Sequence, residues 1–279
     1  MKVLVTGHRG FIGQNLVQYI KDNTDWEVTG WEWGDSAFPT VDGKDWVIHL
    51  GAISSTTEQN VAKLLEQNLE FSQKLYQVCQ RLYVNLQYAS SASVYGLASD
   101  FKEASPGNPM NPYASSKYEF DRWTKLQTPV KLVQGFRYFN VYGNHEEHKG
   151  SQASPVTQFI KQARDTGNIN LFHGSDHYLR DFIAVEDVCR IHVEFIKQAT
   201  SSGIWNVGTG TTSSFEDIAV LIRKHYPATL THVNMPDQLK NSYQAYTCAD
   251  LTRLTSTLGP QTFISVKEWI SRQIDQTQS

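Results

Sequence analysis

The chain has 279 residues, of which 40% are hydrophobic and 19% are charged, a balance typical of one large globular unit or of two fused parts that share a core. The formal net charge is only -3, so the chain has no excess of positive charge with which to contact nucleic acid phosphates. These values exclude an intrinsically disordered chain and argue against a nucleic acid partner.

The cysteines and the apolar segments indicate a cytoplasmic protein. Cys79, Cys189 and Cys248 lie far apart in the sequence, without the spacing of a metal site, and their odd number argues against a disulfide framework. We expect reduced thiols, as in a cytoplasm. The apolar run at residues 3–5 is too short for a signal peptide, and no segment reaches the roughly 20 apolar residues of a membrane span. We therefore expect no membrane partner.

The first structural signal is an apolar strand that enters a glycine-rich turn and then a helix. The turn has the spacing G-x-x-G-x-x-G through Gly7, Gly10 and Gly13, and Phe11 and Ile12 begin a helical apolar pattern. Glycines at such a turn let the backbone approach a pyrophosphate, which then lies at the positive end of the helix. A turn without a ligand is the less favoured alternative, because this one directly follows the first strand.

The end of the second predicted strand, residues 26–31, bears on the cofactor. The strand is followed by Glu32, and an acidic residue there commonly accepts the ribose hydroxyls of NAD. A nearby cation favours the extra phosphate of NADP instead, and Arg9 in the glycine turn could supply it. The two signals conflict, and a solvated carboxylate and a solvated guanidinium remain as alternatives.

The link at residues 33–45 is too short for the strand and crossover helix that a complete mononucleotide-binding unit would insert before the next strand, residues 46–50. We therefore expect a sheet that lacks one strand, with the second strand at its edge. Trp31, Trp33 and Phe38 are available to cover this edge or to flank an adenine.

The rest of the chain continues to alternate between helical and strand patterns. This alternation predicts an α/β fold, a doubly wound parallel sheet of the Rossmann type followed by a smaller C-terminal substrate-binding part. Ser213 and Glu216 have the spacing of a capping box. The further predicted helices cover residues 61–81, 154–165, 185–199 and 266–276, and the further predicted strands cover residues 84–89, 130–137, 169–172 and 204–207.

Tyr113 and Lys117 are candidates for proton transfer. Asn111 can cap a helix that starts at Pro112, and a separation of four residues places Tyr113 and Lys117 on one helical face. A phenolate at neutral pH costs about 4 kcal/mol, and a neighbouring ammonium and the positive helix end both lower this cost. The pair suits proton exchange with a substrate hydroxyl, although such pairs also occur on solvated helix faces. Ser91, at the carboxyl end of a predicted strand, would point into the same crevice.

The glycine turn, Ser91, Tyr113 and Lys117 together resemble the extended short-chain dehydrogenase/reductase family, which binds a nicotinamide dinucleotide and acts on nucleotide sugars. The resemblance covers nearly the whole chain and is closest to the branch that epimerises ADP-heptose at C6. The segments similar to this branch are residues 54–58, 88–91, 135–143, 148–151, 180–182 and 243–245.

The resemblance implies a role for each matching residue. Tyr113 would shuttle the proton, Lys117 would hold the nicotinamide ribose, Ser91 would bond the reacting hydroxyl, Lys149 would be a second acid/base, and Arg180 would meet the substrate diphosphate. The implied cofactor is NADP, with NAD as the alternative, and the implied partners are an ADP-sugar substrate and further copies of the chain in a homo-oligomer. Further cofactor contacts would come from His49, Gly51, Ala52, Asn68 and Phe139, and further substrate contacts from Asn140, Ser151, Phe172 and Tyr243.

The resemblance also implies a division of the chain. Residues 1–143 would bind the dinucleotide, with residues 181–208 returning to this part, and residues 144–180 and 209–279 would bind substrate. His145 and His148, with the acids between them, do not form a recognised metal-ligand set, so no metal is expected.

Two other functions remain open. Another nucleotide-sugar epimerase, a dehydratase or a reductase would share the scaffold. A dehydratase would want acidic residues beside Ser91, and Ala92 and Ser93 supply none. A non-catalytic nucleotide-binding regulator is disfavoured by the intact set of Ser91, Tyr113 and Lys117.

Overall fold

In a computed structural model, the structure describes residues 1–198, 201–237 and 243–277. Its elements, in chain order, are β1 (Lys2–Thr6), α1 (Phe11–Asn23), β2 (Glu27–Trp31), β3 (Trp46–His49), α2 (Val61–Leu64), a π-helical segment (Leu65–Glu70), α3 (Phe71–Arg81), β4 (Asn85–Ser91), a 3-10 helix (Ala92–Tyr95), α4 (Pro112–Lys125), β5 (Val133–Tyr138), β6 (Asn140–Tyr142), a second 3-10 helix (Glu147–Gln152), α5 (Pro155–Thr166), β7 (Asn168–Phe172), β8 (Leu179–Arg180), β9 (Phe182–Ala184), α6 (Val185–Gln198), β10 (Gly203–Val207), β11 (Ser213–Ser214), α7 (Phe215–Arg223), β12 (Thr229–Val233), β13 (Tyr246–Thr247), α8 (Thr252–Leu258) and α9 (Val266–Thr277).

The central sheet has six parallel strands in the order β10-β5-β4-β3-β1-β2. Val3, Val5 and Ile48 pack against α1 and α6 on one face. Leu4 and Val47 face α3 and α4 on the other. Because both faces are covered by helices, the strands read in the sequence as nearly continuous apolar runs. The predicted α/β, Rossmann-type fold is confirmed.

The sheet ends at β2, as the short link predicted. Residues 33–45 are all described and contain no strand, only an isolated bridge between Trp33 and Ser36. Four aromatic rings lie beside this edge. Phe71, the first residue of α3, stacks on Trp31 with 5.2 Å between the ring centroids. The Trp33 and Phe38 rings lie 4.9 and 5.4 Å from the Phe71 ring. The aromatic side chains therefore cover the α3 side of the edge strand.

A second core lies beyond β5 and is formed chiefly by α5, α7 and α9. Phe159, Ile218 and Trp269 are among its buried residues. The two cores meet where β6 pairs with β9, with Asn140 opposite Phe182. After β9 the chain re-enters the main sheet through α6 and β10.

Two features of the helices differ from the sequence-based predictions. The capping box uses Ser214 and Asp217, not Ser213 and Glu216, because α7 begins at Phe215 and its N-cap is therefore Ser214. Glu216 instead accepts a hydrogen bond from the Ser175 hydroxyl at 2.6 Å. The helix predicted over residues 61–81 forms, but it changes to a π-helical segment in the middle.

Within the described ranges, no helix combines the length and the apolar character needed to cross a bilayer.

We expect the substitution Phe71→Ala to lower the free energy of unfolding by about 3 kcal/mol, because it removes the ring that the other three aromatic side chains contact. Urea denaturation followed by circular dichroism would measure the change. Val130→Ala, at a side chain that is 65% exposed, is the control and should stay within about 0.5 kcal/mol of the parent. Equal transition midpoints for Phe71→Ala and the control would contradict this account of the edge.

Candidate active site

A cleft of about 530 Å³ opens at the carboxyl ends of the central strands, the usual position of a ligand in an open α/β sheet. Most of the residues that the sequence singled out meet there. Those that line the cleft are Gly7, Gly10, Phe11, Ile12, Gly13, Glu32, Gly51, Ala52, Ser91, Tyr113, Lys117, Phe139, Asn140 and Lys149.

The glycine turn has no room for side chains. Gly7 has φ +73°, and a Cβ atom added there would lie 2.5 Å from the Gly51 nitrogen. A Cβ atom on Gly13 would lie 2.0 Å from the Gly7 oxygen. Helix α1 begins at Phe11, and Gly10 is its N-cap residue. Among the described residues, no side chain caps this helix end, and the first turn contains no acidic residue. This helix end fits the pyrophosphate of a dinucleotide.

Two carboxylates and one guanidinium lie near the end of β2, beside the cleft. The carboxylate of Glu32, at the end of β2, accepts a hydrogen bond from the Arg9 backbone N–H at 3.3 Å. The Arg9 guanidinium donates to Asp35 at 2.8 Å, and Asp35 also accepts from the Glu32 N–H at 2.9 Å. Arg9 is therefore ion-paired and, unlike Glu32, does not line the cleft.

Tyr113 stands on one wall of the cleft, in the first turn of α4. The Asn111 side chain accepts from the Ala114 N–H at 2.8 Å and Pro112 follows it, so the predicted cap is confirmed. Burial raises the pKa of Tyr113, and its hydrogen bond with Ser91 opposes that rise. The sequence predicted that a neighbouring ammonium and the helix end lower the cost of the phenolate. Burial instead sets the direction of this pKa, so Tyr113 is a protonated phenol at neutral pH.

Lys117 lies one turn further along α4, and its ammonium donates to the Ala89 oxygen at 2.9 Å. Burial lowers the pKa of Lys117 to about 8, and the Asp121 carboxylate acts in the opposite direction. Asp121 is itself ion-paired with Arg137 at 2.8 Å and accepts from the Ser90 hydroxyl at 3.0 Å. The sequence analysis missed this support, although Asp121 follows Lys117 by four residues and so shares its helical face.

Lys149 occupies another wall of the cleft, in the second 3-10 helix. Its ammonium lies 5.3 Å from the centroid of the Phe11 ring and 4.0 Å from a carboxylate oxygen of Glu146. Burial lowers the pKa of Lys149, and Glu146 partly offsets that decrease. The amine is thus partly desolvated, and it faces the same cleft as Tyr113.

A second cavity of about 320 Å³ adjoins the first, since Pro155 lines both. Phe172 and Tyr243 line this cavity, not the cleft. Nearby, the Arg180 guanidinium lies over the rings of Tyr243 and Phe215, 5.2 and 5.4 Å from their centroids. The cavity therefore has aromatic walls with a cation beside them.

Comparison with known proteins identifies the family. The NAD dependent epimerase/dehydratase family matches residues 3–208. The chain belongs to this family. It is 33% identical, over 305 aligned residues, to an ADP-L-glycero-D-manno-heptose-6-epimerase of Brachyspira hyodysenteriae, and the alignment covers 97% of this chain and 96% of the relative. The resemblance seen in the sequence is thus confirmed.

Two solved structures share the fold of this family member. The ADP-L-glycero-D-manno-heptose-6-epimerase of Helicobacter pylori superposes with a TM-score of 0.86 at 23% identity, over 100% of this chain and 96% of that chain. A UDP-N-acetylglucosamine 4-epimerase from Methanobrevibacter ruminantium M1 gives a TM-score of 0.86 at 21% identity, over 99% of this chain and 98% of that chain. At these identities, the likeness concerns the fold alone.

Two residues expected to contact the cofactor of this epimerase/dehydratase family member lie behind the cleft. The nitrogens of His49 bond the hydroxyls of Thr6 at 2.7 Å and Ser72 at 2.9 Å, and burial lowers the pKa of His49 to about 3. Asn68 lies in the π-helical segment and bonds the backbone N–H and oxygen of Ile53 at 2.8 and 3.0 Å. The polar atoms of both residues bond within the protein, and a direct contact with the cofactor stays a prediction.

Ser151, an expected substrate contact, is also placed by the structure, and its contact with substrate stays a prediction. It follows Lys149 closely in the sequence, but its side chain is exposed and lines neither cavity.

Within the three described ranges, no three His, Cys, Asp or Glu residues are grouped to hold a metal ion.

We expect the protein to lose stability below pH 6.5 through His49. Because the folded-state pKa of His49 is lowered to about 3, the unfolded chain takes up more protons below its pKa of about 6.5. Stability is therefore lost as the pH falls through this window, and His49 alone contributes about 2 kcal/mol of this loss between pH 7 and pH 5. The buried His192, whose pKa is also lowered to about 3, adds its own loss in the parent and in His49→Gln. Urea denaturation of the parent and of His49→Gln at both pH values would measure the difference.

The variant His49→Gln should show a smaller loss between pH 7 and pH 5 than the parent, whatever its stability at pH 7. His177→Gln, at a side chain that is 84% exposed, is the matched control and should keep the parent dependence. An unchanged dependence in His49→Gln would mean that the pKa of His49 is the same in the folded and unfolded states.

Proposed function

We propose that the protein is a nucleotide-sugar epimerase that inverts a carbinol carbon by oxidation followed by reduction, with C6 of an ADP-heptose as the favoured centre. One observation carries the proposal. A single cleft beside the open glycine turn contains two proton-transfer groups on different elements, Tyr113 on α4 and Lys149 on the second 3-10 helix. The Brachyspira relative, similar over nearly its whole length, supports ADP-heptose as the substrate.

A nicotinamide dinucleotide along the glycine turn would supply the hydride acceptor and donor for this reaction. The residues of the chain would handle the proton. In one orientation of the sugar, Tyr113 in its phenolate form takes the hydroxyl proton during oxidation, while the Ser91 hydroxyl holds the oxygen. During inversion, the proton for the reduced oxygen comes from the group at the second position. Lys117 lies behind Tyr113 on α4 and contributes positive charge, which favours the phenolate.

Inversion places a second demand on the site. With an immobile nicotinamide, the planar carbonyl has to present both faces, so its oxygen occupies two positions in turn. Each position needs a proton partner within hydrogen-bonding reach, and a fixed tyrosine cannot serve both. Lys149 suits the second position because a partly desolvated lysine loses its proton more readily.

Other chemistry on the same scaffold is less well supported. A dehydratase would need an acid beside Ser91, where the chain has Ala92 and Ser93. A reductase would need only one proton donor. A non-catalytic regulator gives no reason for two desolvated lysines in one cleft. An NMR assay with ADP-heptose separates these functions, since only an epimerase converts one C6 epimer into the other without net oxidation or loss of water.

The division of the chain that the sequence predicts assigns one ligand to each part. In this proposal residues 1–143 and 181–208 hold the dinucleotide, and residues 144–180 and 209–279 hold the substrate nucleotide. The aromatic cavity lined by Phe172 and Tyr243 suits the adenine of an ADP-sugar. Arg180 beside it suits the diphosphate.

The contacts of Arg9 modify the expected cofactor preference. NADP was favoured partly because Arg9 could meet its extra phosphate. Asp35 already pairs with that guanidinium, and Glu32 lines the cleft close by. Two carboxylates oppose a phosphate and can accept ribose hydroxyls instead. We therefore propose NAD as the preferred cofactor and NADP as the weaker ligand.

The cellular setting is part of the same proposal. Cys79 and Cys189 are buried free thiols, and burial raises the pKa of both, which suits a reducing cytoplasm. We also retain the expectation of a homo-oligomer, which light scattering of the purified protein would test.

We expect Lys149→Met to reduce the turnover of ADP-heptose epimerisation at least a hundredfold, with substrate affinity within about threefold, because a proton-transfer group contributes roughly 10²–10⁴-fold. Kinetics at saturating substrate and calorimetric titration would measure both effects. If Lys149 only paired with a phosphate, binding would weaken and turnover at saturation would stay near normal. Lys161→Met, at a side chain that is 74% exposed, is the matched control.

We expect the cofactor-free protein to bind NAD at least tenfold more tightly than NADP. Glu32→Gln should narrow this ratio by weakening NAD binding and removing a charge that repels the extra phosphate. Fluorescence titration with both dinucleotides would measure the affinities. Glu27→Gln, on the same strand but away from the cleft, should keep the parent ratio. Tighter binding of NADP to the parent protein would restore the preference expected from the sequence.

A further inference from the structure

Glu146 is a buried carboxylate that joins the Lys149 loop to helix α5. Its side chain is fully buried and accepts three hydrogen bonds. The donors are the Ser154 N–H at 2.9 Å, the Ser154 hydroxyl at 2.6 Å and the Thr157 hydroxyl at 2.5 Å. Ser154 is the N-cap of α5, so the carboxylate lies at the positive end of that helix. These partners offset the cost of burying a charge.

The same residue holds Lys149 twice. The Lys149 N–H donates to the Glu146 backbone oxygen at 2.9 Å, which fixes the helical turn between the two residues. The Lys149 ammonium lies 4.0 Å from the Glu146 carboxylate. This distance is within the range of electrostatic attraction, but it is too long for a hydrogen bond. The amine is therefore placed by Glu146 and stays free to exchange a proton with another group.

We propose that Glu146 is the positioning residue for Lys149, holding the loop against α5 so that the amine stands over Phe11 and faces the cleft. The inference rests on the proposed role of Lys149 as the second acid/base. The anchor is needed because no residue of the 3-10 helix at 147–152 is buried, so the burial of its own side chains does not hold this segment in place. The backbone on either side of Lys149 also has positive φ angles, +69° at His145 and +53° at Gly150. A small shift of the amine would remove it from the sugar oxygen, and such shifts lower rates steeply.

The carboxylate also adjusts the charge of the amine. Burial lowers the pKa of Lys149, and Glu146 is the opposing charge. Removing that charge while keeping the shape of the side chain should thus lower the pKa further. The other titratable groups that line the cleft with Lys149 are Glu32, Tyr113, Lys117, Tyr138 and His148.

The substitution Glu146→Gln tests both effects with little change of shape. We expect turnover with ADP-heptose to fall roughly tenfold at pH 7 while the KM for ADP-heptose stays within twofold. The limb of the pH-rate profile that belongs to Lys149 should move to lower pH by about one unit. Glu147→Gln is the matched control, since the neighbouring Glu147 is exposed, and it should behave like the parent. A merely structural glutamate would lower stability without moving that limb.

Two further measurements keep the test decisive. If Glu146→Gln does not fold, Thr157→Val removes one donor to the carboxylate and should lower turnover about threefold, again with unchanged KM. Independently of activity, NMR titration of ¹³C-dimethylated lysines, with the Lys149 signal assigned by its loss in Lys149→Met, should show a lower pKa in Glu146→Gln.

The outcomes separate the two proposals. An active parent whose turnover, pH profile and Lys149 titration are unchanged in Glu146→Gln, or in Thr157→Val if the former does not fold, overturns the role of Glu146 and leaves the proposed function intact. An inactive parent overturns the proposed function. In that case the NMR titration alone decides whether Glu146 controls Lys149, and an unshifted pKa overturns the inference.

Discussion

The buried ion pair between Asp121 and Arg137 is the interaction on which the cleft wall with Tyr113 and Lys117 depends. Both side chains are 1% exposed and their charged atoms lie 2.8 Å apart. Asp121 belongs to α4, the helix that carries Tyr113 and Lys117, and Arg137 belongs to β5, which lies between β10 and β4 in the sheet. Asp121 also accepts from the Ser90 hydroxyl, next to Ser91. The pair thus joins helix to sheet directly below the candidate catalytic residues, and losing one partner would leave the other charge buried and uncompensated.

The same carboxylate influences the chemistry above it. Lys117 is desolvated, which lowers its pKa to about 8, and Asp121 limits the decrease. Tyr113 is desolvated as well, which raises its pKa. Burial therefore disfavours the charged form of both residues. With a pKa of about 8, Lys117 still keeps most of its positive charge at pH 7, whereas Tyr113 is a neutral phenol. The rigid support of the Asp121 pair holds these two groups in place.

The sequence predicted the parts of the site that depend on neighbouring residues. The glycine turn, the Asn111 cap and the absence of a strand between β2 and β3 follow from local spacing. The structure agrees with all three predictions. The orientation of His49 followed from the same rules but was not inferred. Alternate residues of a strand share a face, so His49 points with Val47 toward α3 and Ile48 points toward α1. The two-residue strands such as β8 and β13 were not predicted, because segments this short have no periodicity. The second cavity was missed because it joins residues that are distant in the sequence.

The two walls of the cleft are built on a common physical pattern. Each has a partly desolvated lysine, Lys117 or Lys149, and each lysine is opposed by one buried carboxylate, Asp121 or Glu146. Each carboxylate in turn accepts hydrogen bonds from hydroxyls of its own surroundings. The anchors lie on separate elements, α4 and the loop before α5, and they share no partner among the described contacts. The position and charge of the two lysines can therefore be set independently, which suits a reaction that uses the two walls in turn.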